Sequence, residues 1–111
     1  MNYYDIWVDL APGVNDLDFV DAVNEYLDFL KADGKLVGHR IRRRKLGFGP
    51  DVLGEFNITM KFEDLAQIDD AFFVAAKRSG EAERLHAAVW SKVSNFKSGL
   101  YRDFPDSVRE S

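Results

Sequence analysis

The sequence predicts an α+β domain of βαββαβ order: a four-stranded antiparallel sheet with helices on one face. Three observations carry this reading. Apolar residues alternate with period two in three segments, they recur at helical spacing in three others, and the segments follow one another in that order. The 111 residues suit one domain spanning 1–111, and the 46% hydrophobic share with 14% aromatics suffices for a core.

Residues Asn2 to Leu10 set Tyr4, Ile6, Val8 and Leu10 against Tyr3, Asp5, Trp7 and Asp9, which predicts a first strand with two unlike faces. Ala11-Pro12-Gly13 ends it. Asn15 supplies a cap and Asp16 and Asp18 supply first-turn acids, so a helix is expected from there. Phe19, Val20, Val23, Tyr26, Leu27 and Leu30 form its apolar stripe over Asp16 to Asp33, and Gly34 suits a left-handed terminus.

Lys35 to Leu46 is expected to be the second strand, with Val37, His39 and Ile41 on one face and Gly38, Arg40, Arg42 and Arg44 on the other. A turn-rich link, Gly47-Phe48-Gly49-Pro50-Asp51, leads to the third strand. There Phe56, Ile58, Met60 and Phe62 oppose Glu55, Asn57, Thr59 and Lys61. Asp64 to Gln67 has capping-box spacing for a helix with Leu65, Ile68, Phe72, Ala75 and Ala76 on its stripe, stopping near Gly80. Leu85, Val89, Val93 and Phe96 continue the helical period from Glu81 to Lys97, so the second crossover is split. Leu100 to Phe104 is expected as a short fourth strand, followed by a polar, frayed tail over 105–111.

This order of elements is the split-βαβ, ferredoxin-like arrangement, which leaves one sheet face bare. Tyr3, Asp5, Trp7 and Asp9, then Arg40, Arg42 and Arg44 of strand two, and Glu55, Asn57, Thr59 and Lys61 would all lie there. By topology the chain resembles the dimeric α/β-barrel superfamily, as in antibiotic-biosynthesis-type monooxygenases and stress-responsive barrel proteins. That resemblance implies a homodimer in which two sheets face each other.

The net charge of −4 and pI near 5.1 argue against a generic nucleic-acid binder. An RNA-recognition βαββαβ module would stack bases on Tyr3 and Trp7, but Asn57 and Thr59 stand where that family has aromatics. With no cysteine, thiol catalysis and thiolate metal sites are excluded. His39 and His86 are too far apart for a metal motif, so neither a metal nor a flavin is expected. Gly47-Phe48-Gly49 leads into Pro50 and a strand, which is no phosphate loop. No apolar run suggests a signal peptide or membrane span, so a cytoplasmic protein is expected.

Two constellations stand out. Five of the six residues from Arg40 to Lys45 are cationic and repel one another unless anions neutralise them. They make either an anion site or, as favoured here, structural partners in which Arg40, Arg42 and Arg44 pair with Asp5, Asp9 and Glu55 or with a partner subunit. His86 and Trp90, four apart on a helix, share a face. They loosely resemble the helix-borne histidine of haem-degrading superfamily members, although the Trp follows the His here, and neither Asn2 nor Asn57 can be assigned the missing asparagine role. The ordinary reading is an amphipathic His beside a core-edge Trp.

Candidate ligand-binding residues are therefore Tyr3, Trp7, Arg40, Arg42, Arg44, Asn57, His86 and Trp90. The expected function is a homodimer that binds a small anionic or aromatic ligand. The alternatives are a cofactor-independent or haem-type monooxygenase, and a dimerising interaction protein without a ligand.

Overall fold

Alternation along β1 (Asn2–Leu10) and β3 (Phe56–Phe62) puts Ile6, Val8, Phe56, Ile58, Met60 and Phe62 on one side of the sheet, and all six are buried. The structure, a computed structural model, describes residues 1–76 and 80–106. The elements run β1, α1 (Asp16–Ala32), β2 (Gly38–Arg43), β3, α2 (Leu65–Ala76), α3 (Gly80–Trp90), β4 (Val93–Arg102). All pairings in the sheet are antiparallel, in the order β2-β3-β1-β4. This is the ferredoxin-like architecture.

Asn15 caps α1, its side-chain oxygen accepting the N–H groups of Leu17 (2.9 Å) and Asp18 (3.1 Å). From α1, Phe19, Val23, Tyr26, Leu27 and Leu30 meet the sheet, while α3 adds Leu85 and Val89. Each such side chain contributes about 1.5–3 kcal/mol when fully buried, so this layer dominates the fold. Before α2, Gln67 N–H donates to Asp64 (2.8 Å) and the Gln67 side chain accepts from Glu63 N–H (2.8 Å).

Three expectations change. The third helix stops at Trp90, and residues 93–97, expected to be helical, begin a ten-residue β4 in place of the short strand from Leu100. Ser91, Ser94, Asn95, Ser98 and Gly99 are weak helix formers, and β1 offers its whole length for pairing. The register shifts between Trp7 and Asp9, and Asn95 takes a left-handed φ of 53°, a conformation asparagine tolerates better than most residues. On α2, Ile68 is buried, but Leu65 and Phe72 of the expected stripe are exposed.

The second strand is shorter than expected, and its cations do not all share one face. Arg43 donates to Asp16 (2.9 Å) on α1 and Glu55 (2.7 Å) and covers the Phe56 ring. Arg42 bonds the Asn57 amide oxygen (2.6 and 3.0 Å), and Arg44 bonds the carbonyls of Pro50 (2.8 Å) and Leu53 (2.7 Å). Pairing of Arg40, Arg42 and Arg44 with Asp5, Asp9 and Glu55 within the chain is thus corrected: among the described residues the direct ion pairs of this run belong to Arg43, because it points toward α1 and Glu55 together. Arg44 reaches Asp9 only as a longer-range charge. Of the tail, only Pro105 and Asp106 lie within the described residues.

Candidate functional site

The two faces of the sheet separate the candidate residues. On the helical side, β1, β3, β4 and the three helices leave a cleft of about 630 Å³ between them. Its floor is Tyr4, Ile6 and Met60; α1 brings Tyr26 and Leu30, α2 brings Ala71, Phe72 and Ala75, α3 brings His86 and Trp90, and β4 brings Val93 and Phe96. Among the described residues no charged side chain lines it. The cleft exists because α2 offers alanines, Ala71 and Ala75, where a filled core would need larger side chains.

One wall is a ladder of rings. Tyr26 meets His86 edge-on at 5.5 Å between centroids, His86 meets Trp90 at 5.6 Å, and Trp90 meets Phe96 at 5.2 Å. Burial pushes the Tyr26 phenol up to about 12, so it remains an O–H donor. Desolvation pulls His86 below its usual 6.5, against a weaker upward pull from Glu83, so the imidazole is neutral near pH 7. The buried Trp90 Nε1 has no hydrogen-bond partner among the described residues, a cost of about 1–3 kcal/mol. The hydrogen-bonding groups of the cleft are therefore uncharged. They suit neutral ligands and would leave an anion uncompensated.

The bare face carries Tyr3, Trp7, Arg40, Arg42 and Asn57. Here Thr59 donates to Asp5 (2.5 Å), Asn57 donates to Asp5 (3.3 Å), and Arg42 donates to Asn57, so one polar network crosses β1, β3 and β2. Asp9 accepts from Glu55 N–H (2.9 Å) and from Asn95 (3.0 Å), and these bonds hold its carboxyl below the usual range. Tyr3 donates to Asp103 (3.1 Å). Arg40 makes no hydrogen bond or ion pair among the described residues.

His86 and Trp90 are thus brought together in the cleft, while the other six candidates lie elsewhere. Neither Asn57 nor Asn2 lines the cleft; Asn2 is buried against Glu63 and Arg102. Among the described residues the lining holds no cation to meet propionates, so those residues do not fit a haem. Tyr4, Tyr26, Phe72, Ala75 and Phe96 were missed as site residues. Tyr26 reads as core stripe in the sequence, and Phe96 reads as helix. The second histidine, His39, is half-buried under α1, bonded to Asn24 at 2.7 Å, and desolvation lowers its pKa. Among the described residues no cluster of three or more His, Asp or Glu could hold a metal, and no helix is long and apolar enough to cross a membrane.

A ferredoxin-like domain with an uncharged cleft under its helices and a polar bare face defines the class. The chain belongs to a family of unknown function, DUF6614, whose model matches residues 1–111. No curated protein matches it. Among solved structures it is similar to the At3g17210 protein of Arabidopsis thaliana (TM-score 0.72, 10% identity, covering 96% of this chain and 99% of that one). A dimeric ferredoxin-like protein of unknown function from Jannaschia sp. gives a TM-score of 0.68 at 12% identity, covering 92% and 98%. Another dimeric protein of unknown function and ferredoxin-like fold, from Bacteroides fragilis, gives 0.58 at 12% identity, covering 92% and 95%. At such identities the likeness is one of fold.

Proposed function

We propose that this protein is a homodimer that binds a small, uncharged, largely aromatic molecule in the cleft between its sheet and helices. The observation that carries the reading is the lining itself: about 630 Å³ walled by aromatic and aliphatic side chains, whose hydrogen-bonding groups among the described residues are neutral. Because Arg40, Arg42 and Arg44 lie away from this cleft, the aromatic half of the expected ligand chemistry is favoured over the anionic half.

Dimerisation is supported by the bare face, where Trp7 and Tyr3 have apolar area to cover and Arg40 has no counter-charge among the described residues, and by the dimeric state of the Jannaschia and Bacteroides proteins. Light scattering should give twice the 12.7 kDa chain mass; a monomer at every concentration removes the dimer from the reading.

Fluorescence of the neutral dye Nile red should rise saturably on mixing with the protein. Neutral 2-naphthol should displace it, and 2-naphthalenesulfonate should not. Absence of saturable binding, or preferential displacement by the sulfonate, overturns the ligand reading.

A further inference from the structure

The connection between β2 and β3 combines an ordered backbone with apolar side chains held in water. Arg44 braces it from inside through the Pro50 and Leu53 carbonyls, and Gly49 lies so close that a Cβ there would meet the Arg44 guanidine at 2.6 Å. Backbone bonds from Arg44 N–H to Glu55 O (2.8 Å) and Phe48 N–H to Lys45 O (3.0 Å) tie it down further. Yet Leu46, Phe48 and Val52 are 81%, 80% and 68% exposed. Leu46 also sits at φ 56°, a left-handed conformation unfavourable for a leucine, so the loop is not shaped to hide it. Clustered apolar side chains on a braced loop mark a contact surface.

This loop is continuous with the bare sheet face. Phe48, Pro50 and Leu53 share a hollow of about 290 Å³ with Trp7, Arg42 and Asn57. One patch of surface thus offers both a projecting aromatic ring and a recess that can take one, which is what a two-fold contact between identical surfaces requires.

The charges select the same occupant. Beside the loop, Arg40 has no partner among the described residues and Arg42 meets only a neutral amide, whereas the carboxylates Asp5 and Asp9 lie across the face on β1. With the strand order β2-β3-β1-β4, a two-fold axis running along the strands would lay β3 of one copy over β1 of the other and bring each cationic side toward the other's acids. An anionic membrane pressed on this face would meet those carboxylates as well as the arginines.

We propose that the β2–β3 loop is a dimerisation arm, with Leu46, Phe48 and Val52 of each copy covered by the bare face of the other. The proposal rests on the homodimer reading above. Sedimentation velocity over a concentration series tests it on the full chain, comparing wild type with the triple variant Leu46→Ser, Phe48→Ser, Val52→Ser. The substituted side chains are exposed, so circular dichroism should be unchanged, while the dimer dissociation constant rises by on the order of 100-fold.

A wild-type dimer with equal affinity in the triple variant overturns the arm and leaves the dimer standing. A wild type that is monomeric throughout overturns both, and loop-dependent pelleting with phosphatidylserine vesicles assigns the loop to a membrane instead. As a second measurement, a photo-crosslinking amino acid at position 48 should yield a product of twice the chain mass, attached at β1 or β3. Only intramolecular products in a wild-type-like dimer count against the arm.

Discussion

The two faces of one sheet solve opposite problems. On the helical side β1 presents Tyr4, Ile6 and Val8, and helices bury them except where the alanines of α2 leave the cleft open. On the other side the same strand presents Tyr3, Asp5, Trp7 and Asp9, all half-buried, with Tyr3, Asp5 and Asp9 knitted to their neighbours by hydrogen bonds. The helical face therefore supplies most of the stability and, in the function proposed above, the place for a neutral molecule. In that same reading the bare face gives the dimer its specificity, since exposed polar pairs contribute little to folding but restrict what can dock. One strand thus carries both assignments, separated only by the direction of each side chain.

If that division is right, the largest effect on folding comes from the helical layer. Phe19 is fully buried and packs edge-on against Phe56 at 5.2 Å, so Phe19→Ala should cost about 3–5 kcal/mol in urea unfolding. A loss below about 1 kcal/mol would break the comparison at its base.

Filling the cleft should separate binding from stability. Ala75→Trp puts a large ring into the space between α2 and the Tyr26–His86 wall, and Nile red affinity should fall at least about tenfold. The melting temperature should move by no more than a few degrees, on the order expected for about 1 kcal/mol. Undiminished dye binding would place the site elsewhere.

The arginine run gives a smaller test. Arg43→Glu sets a carboxylate against Asp16 and Glu55 and should lower the melting temperature by roughly a few degrees at protein concentrations low enough for monomer. Arg42→Glu, which loses only an amide contact, should lower it less. The reverse ranking would show that the bare face is held by charge.

The smallest effect is on pH. His86 and His39 both have folded-state pKa values depressed below 6.5 by burial. Below that value the unfolded chain takes up protons that the folded chain resists, so stability is present at neutral pH and declines as pH falls through 6.5 toward the depressed values. Melts between about pH 7.5 and about pH 5.5 should show the decline, and His86→Gln should flatten it. Bound Nile red, by desolvating His86 further, should steepen it.

Much of this was legible from residues alone. The alternation in β1 and β3 assigned both faces correctly, and Asn15 and Asp64 marked the starts of α1 and α2, because side-chain direction and helix capping are local properties. The split second crossover was equally visible in the two apolar stripes on either side of Gly80. His86 and Trp90 were singled out as a pair from their spacing, and the structure places both in one wall of the cleft.

What only the tertiary structure decided depends on partners distant in sequence. Val93 to Lys97 carries an apolar spacing compatible with a helix, yet it is a strand because the nine-residue β1 would otherwise leave one edge of backbone groups unpaired. Among four arginines in five residues, Arg43 holds the ion pairs because Asp16, twenty-seven residues earlier, and Glu55, twelve later, converge on it. The cleft appears in no motif, since a cavity is a shortage of volume summed over six elements, and a sequence records each side chain's size but not what it must fill.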